Sequence, residues 1–271
     1  MPVPLVLKIL CESSAIIQKY QPVKWVQSKP TASEMRTLKD ECETINQFDP
    51  LKLRLNVWKD YKSGKYKIKS SECEIAKVIS ITPSYVDPPL EDWGRIFQWL
   101  GPAKTGKWII YWLGGEAKRE FPAMGLPLNQ KHLNGGYTIP CSTNGIFIYR
   151  IEEATRVLIH ELLHAACLDP QEVSVSVREA TVETWTELFL IAHRSKGDIK
   201  VAEKLWIIQS QWVSDTNHKA MTEHSVTGPN AYGWRYLNGR ADIFESLGAE
   251  IPKPKPLPAK ASSRFTDPSL D

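Results

Sequence analysis

The chain has 271 residues, ten of them tryptophan, and is 42% hydrophobic and 24% charged. That composition belongs to a globular protein and excludes wholesale disorder and low-complexity architecture. Lysine and arginine number 34 against 31 acidic residues, and the resulting charge of +3 forms no basic block, so neither nucleic acid nor a membrane is an expected partner.

Every apolar run stops short of the about 18 residues that span a bilayer. The apolar start Met1–Leu10 has no basic region and is interrupted by Lys8, so no secretion signal is read there. Five cysteines, Cys11, Cys42, Cys73, Cys141 and Cys167, are an odd number, far apart and without a CxxC pair. They suggest neither a disulfide framework nor a cysteine-based zinc site, and they fit a reducing, intracellular setting.

In chain order, Thr31, Ser33 and Glu34 open a surface helix over 31–47. Leu51, Leu53, Leu55 and Val57 alternate, and the turn Lys62-Ser63-Gly64-Lys65 with Tyr66–Ile68 beyond it predicts a hairpin. Pro88-Pro89 lead into an amphipathic helix over Leu90–Leu100, which Gly101-Pro102 closes. Strands are expected at Trp108–Leu113 and Gly145–Tyr149. Residues Glu152–Leu168 predict a helix that Asp169-Pro170 stops, and further helices are expected over 175–194, 199–213 and 230–247. From Ile251 a run of alternating prolines predicts a tail without a core. The reading is α+β in three regions: 1–103, an α/β region with no assigned role; 104–250, which carries the chemistry; and a disordered, Pro-rich 251–271.

Within Val157–Leu168 only His160, Glu161 and His164 are polar. A helix that apolar is buried, and a buried imidazole or carboxylate needs a partner. The spacing His160-Glu161-Leu162-Leu163-His164 puts both imidazoles on one face, one turn apart, which suits two ligands of a tetrahedral zinc. Glu161 is rotated by about 100°, where it can face a water without ligating the ion. The competing reading is a core helix whose histidines bond to backbone or carboxylates. A third ligand is sought downstream, where Glu179, Glu183 and Glu187 recur four residues apart. Three like charges so stacked repel, and a cation would resolve the repulsion.

At these residues the sequence resembles the gluzincin peptidases, in which H-E-x-x-H precedes a helix carrying E-x-x-x-D/E. Glu179-Ala180-Thr181-Val182-Glu183 looks like that pattern. The resemblance implies Glu179 as zinc ligand and Glu183 as the carboxylate that orients a ligand histidine; the spacing from His164 also allows Glu183 as the ligand. A closer resemblance is to the predicted metallopeptidases of nucleocytoplasmic large DNA viruses. It is carried by Trp108–Leu113, Lys118-Arg119-Glu120-Phe121-Pro122, Asn134-Gly135-Gly136-Tyr137-Thr138, Ile146–Glu153, His160–His164 and Glu179–Glu187. It covers about residues 107–240, with Gly135 where those proteins have Ser.

The resemblance implies a zincin-like fold, in which a small sheet with an edge strand packs on the H-E-x-x-H helix ahead of a mostly helical C-terminal half. It also implies a zinc peptidase, more specifically an endopeptidase, acting on protein or peptide substrates in a host cytoplasm or a virion. Zinc held by His160, His164 and Glu179 would lower the pKa of water to about 7, with Glu161 as base and then acid. Tyr232 is the first candidate donor to the oxyanion, with His224, Tyr236 and Arg240 as alternates. Gly145–Arg150 is either an edge strand that holds substrate or an interior strand. His132, His193 and His218 read as structural or exposed, and Cys167 as a small core residue. The rival to the peptidase is a catalytically silent, metal-binding structural or virion-associated protein.

Overall fold

The computed structural model describes residues 3–143 and 145–270. From the amino end run α1 (Leu5–Gln18), β1 (Val26–Gln27), α2 (Ala32–Glu43), α3 (Leu53–Lys62), β2 (Tyr66–Glu72), β3 (Ala76–Pro83), α4 (Leu90–Leu100) and β4 (Trp108–Leu113). Beyond them lie α5 (Gln130–Leu133), β5 (Gly136–Thr138), β6 (Ile146–Ile148), α6 (Ala154–Ala165), α7 (Val175–Arg194), α8 (Ile199–His224) and α9 (Asn238–Ser246). The protein is α+β, about 47% helical with one mixed six-stranded sheet.

Its two compact units cut across the linear boundaries expected at 103 and 250. One comprises Gln21–Lys118 and Asn134–Leu168; the other comprises Met1–Tyr20, Arg119–Leu133 and Asp169–Asp271.

The first unit holds the whole sheet, in the order β1-β2-β3-β4-β6-β5. β2 and β3 form an antiparallel hairpin, β4 runs parallel to β3 and to β6, and β5 closes one edge antiparallel to β6. The sequence places the hairpin one element too early. Leu53, Val57 and Trp58 are buried on α3, at helical and not strand spacing. That helix starts because the Asp49 carboxylate accepts from the Leu53 and Arg54 amides, at 2.9 and 3.1 Å, satisfying donors that a helix start leaves open. α2 has the reciprocal box expected from its first residues: Thr31 Oγ1 accepts from the Glu34 amide, and Glu34 Oε2 from the Thr31 amide. Leu38, Cys42, Val57, Ile79, Ile81, Tyr111, Leu113 and Phe147 share the core beneath. On α4, the Trp93 indole meets Trp112 edge-on at 5.5 Å and donates to Thr155 Oγ1 at 3.1 Å, tying α4 to α6.

The second unit is helical. Its centre is α7, packed by α1, α8 and α9. α8 extends eleven residues past its expected end at 213, to His224. The C-terminal tail departs from the expectation of disorder. Residues 251–258 have no regular structure, but Ala261, Ser263, Phe265, Thr266 and Leu270 are buried, and Ala261 and Phe265 join a core with Phe121, Leu128 and Leu237. Beyond the prolines the backbone finds partners: Ala261 O accepts from the Phe121 amide, Phe265 O from Gln209 and Arg240, and Leu270 O from Arg194. Residues 1, 2, 144 and 271 lie outside the described set.

No helix among the described residues is long and apolar enough to cross a membrane. The expectation of five reduced cysteines is corrected: Cys141 and Cys167 form a disulfide, their Cα atoms 4.5 Å apart, within the reach such a bridge requires. Cys167 is therefore not a packed thiol. Cys11, Cys42 and Cys73 are buried and free, and burial pushes the Cys42 thiol up to about 12, away from the reactive thiolate. Thiol titration of the folded protein at pH 7 is expected to find almost none, denaturant alone to expose three, and denaturant with reductant five. Five thiols without reductant would contradict the bridge.

Candidate metal centre

The histidine motif belongs to the first unit and to one helix of it. α6 leaves the sheet directly after β6, through Glu153 in the left-handed region at φ 59°. All twelve of its residues are buried, so the apolar pattern read from sequence corresponds to helix packing on every side. The His160 and His164 rings lie 4.8 Å apart, tilted by 72°. That separation lets a nitrogen of each reach one ion at the about 2.0–2.1 Å of zinc–imidazole bonds.

Glu161 turns toward the sheet edge. A Cβ built on Gly136 of β5 would stand 3.3 Å from Glu161 Oε1, 2.5 Å from Val157 Cγ1 and 2.8 Å from Phe147 O. Only glycine lets β5 run this close to α6. The strand beside the motif is therefore β5, the sheet edge, while β6 is an interior strand between β4 and β5. The alternative left open for Gly145–Arg150 resolves to the interior reading.

β5 is held from beneath. The Tyr137 ring stacks on Phe147 at 5.0 Å, and its hydroxyl donates to Glu41 of α2. Arg54 of α3 pairs with the same Glu41 and, at 3.1 Å, with Asp49. Burial pushes the Tyr137 phenol up to about 12; Arg54 opposes that shift, and the Glu161 carboxylate adds to it. The phenol thus stays a donor. Arg150 closes the approach to β5: it donates to the carbonyls of Asn134 at 2.7 Å, Ala117 at 2.8 Å and Lys118 at 3.2 Å.

The acidic residues stand in the second unit, on α7. Ser174 caps that helix by accepting from the Val177 amide, and Arg178 fixes the approach through the Pro170 and Gln171 carbonyls. Glu179 is half-buried and Glu183 is buried. Ala180 is small for a packing reason: a Cβ on Gly239 of α9 would lie 2.9 Å from the Ala180 Cβ, so the two helices touch there. Glu187, one turn beyond Glu183, is paired with Arg240, both at 0% exposure, and accepts from Gln209 at 2.9 Å. A guanidinium, and not a cation from solution, relieves that part of the acidic stack.

The same observation removes Arg240 as an oxyanion donor, since it also serves Phe265 O and Leu237 O. His224 engages Leu126 O through Nδ1 at 2.8 Å and stacks its ring on Phe121, while its Nε2 is buried with no hydrogen-bond partner among the described residues. Tyr232 and Tyr236 are the other candidates. Tyr232 lies in a 3-10 turn, Tyr232–Arg235, and its hydroxyl donates to that of Tyr236 at 3.4 Å. Burial first, then the Glu179 carboxylate and Tyr232, holds the Tyr236 phenol well above its usual range; it is a neutral donor. Of the other histidines, His132 accepts from the Asn129 amide at 3.1 Å, His193 is buried and His218 is exposed.

The six residues singled out in the sequence thus divide as His160, Glu161 and His164 in one unit and Glu179, Glu183 and Tyr232 in the other. Gly136 and the Glu41–Arg54–Tyr137 group escaped the sequence reading as parts of the site's frame; the Gly135-Gly136 pair ahead of Tyr137 was the available signal for a close backbone approach. No protein-family model, no curated protein and no solved structure matches the chain.

Removing the guanidinium in Arg240→Ala leaves Glu187 buried without its counter-charge, which is expected to cost about 3–5 kcal/mol. Urea denaturation checks this. A loss under about 1 kcal/mol would show that Glu187 has another partner of equal strength.

Proposed function

We propose that the chain is a zinc-dependent metallopeptidase with a zincin-like site, its ion held by His160, His164 and Glu179. The reading rests on one observation above all: a wholly buried helix presents two imidazoles 4.8 Å apart, with the intervening Glu161 turned to the sheet edge and not toward the ligand face. The donors, one nitrogen from each histidine and one carboxylate oxygen, suit zinc and leave a position open, as hydrolytic sites do.

When bound, zinc supplies a Lewis acid that acidifies water and polarises a peptide carbonyl. Glu161 takes the proton from the attacking water and passes it to the departing amine. The edge of β5 offers main-chain groups to an extended peptide. Tyr232, or Tyr236 behind it, donates to the carbonyl oxygen as negative charge develops there. Glu183, one turn from Glu179, orients a ligand histidine.

The parent chain is expected to bind one zinc and to generate new peptide termini in a proteomic digest read by mass spectrometry. His160→Ala loses the metal. Glu161→Gln keeps it and loses about 10²–10⁴-fold in cleavage rate, the usual contribution of a general base. Cleavage by Glu161→Gln at the parent rate would refute the mechanism, and zinc without cleavage in the parent would leave a silent metal-binding protein. The third ligand is decided separately: Glu179→Ala is expected to release zinc and Glu183→Ala to retain it, and the reverse pattern moves the ligand to Glu183.

A further inference from the structure

We propose that the Cys141–Cys167 disulfide positions the His164 end of α6 and the turn leaving β5, so that its reduction weakens metal binding. This rests on the zinc reading above and adds a means of regulating that site.

His164 is the penultimate residue of α6, and the last carbonyls of a helix lack partners within it. Its carbonyl accepts two amides, Cys141 N at 2.9 Å and Cys167 N at 3.0 Å. The two donors are the two halves of the disulfide. Both cysteines sit in the left-handed region, Cys141 at φ 58° and Cys167 at φ 62°, where residues with a side chain are uncommon. The covalent bond therefore fixes three things together: the last turn of α6, the turn over 139–142 beyond β5, and two backbone conformations that the chain does not favour by itself.

β5 is also the strand that Glu161 faces. One bridge, joining residues 26 apart in sequence, thus ties the end of the ligand helix to the strand beside the base. Cys141 is exposed and Cys167 partly so, which lets a small dithiol reach the bond. A reductant thiolate attacks one sulfur to form a mixed disulfide, and its second thiol resolves it. Two electrons and two protons pass to Cys141 and Cys167, and the reductant leaves as a disulfide.

With the bond open, the two amides that His164 O accepts come from turns no longer tied to each other and free to open locally. Loosening the partners that orient a metal ligand costs about 10–100-fold in affinity.

The test compares the full-length chain as isolated with the same chain reduced by a phosphine, which water converts to its oxide as two thiols form, and desalted without oxygen. Zinc affinity is read by competition with a chromogenic chelator, and local opening by amide hydrogen exchange. Expected are an affinity weakened by about 10–100-fold after reduction, its recovery on reoxidation, faster exchange in peptides covering 136–145 and 160–168, and unchanged far-UV circular dichroism. Cys141→Ser should match the reduced protein and ignore the phosphine.

Equal or tighter zinc binding after reduction overturns the proposal. So does loss of circular dichroism, because the bond would then support the whole unit instead of one turn. Zinc bound equally in both states sinks this inference alone, whereas a chain that binds zinc in neither state removes the metal reading as well.

Discussion

Burying two imidazoles and a carboxylate on a helix whose residues from Val157 onward are otherwise apolar costs free energy that only specific partners return, and the strand-rich unit is organised around that demand. α6 has no solvated face to which the motif could escape. Its polar side chains are committed to a fixed direction by packing, and the close passage of β5 at Gly136 sets where Glu161 can go. Rigid helix and strand positions hold reacting groups more accurately than loops do.

That constraint gives the amino-terminal region a role that its sequence does not announce. Residues 21–118 belong to the same unit as the motif. They supply four of the six strands, and through Glu41, Arg54 and Asp49 they supply the polar contacts beneath Tyr137. A polar group that deep is tolerated because each partner answers another. The region is a foundation for the edge strand and not an appended domain.

The range of the forces involved decides which features are legible in the sequence. Helix α4 and strand β4 fall where they were expected, because Pro88-Pro89 and Gly101-Pro102 punctuate the chain by local sterics. The histidine motif was legible for the same reason, since five consecutive residues carry its geometry. Leu51 to Val57 misled because alternate apolar residues describe a strand equally well until Asp49 caps a helix there. Partners distant in sequence left no such trace: the Cys141–Cys167 bridge, the Arg240–Glu187 pair and the packing of Phe265 depend on folds that no window of residues displays. The divided candidate donors for the oxyanion belong to that second kind.

The interleaving of the two units sets an order on biosynthesis. Every residue of the strand-rich unit has been made once Leu168 emerges, whereas the helical unit also needs the carbonyls of residues 261–270 to engage Gln209, Arg240 and Arg194. Domains tend to fold as units during translation, so a nascent chain acquires its histidine-bearing half while α1 still waits for helices made much later. The acidic helix α7 gains its packing partners α8 and α9 only afterwards, so the two histidines of α6 are in place while the carboxylates of α7 still lack a packed helix to carry them.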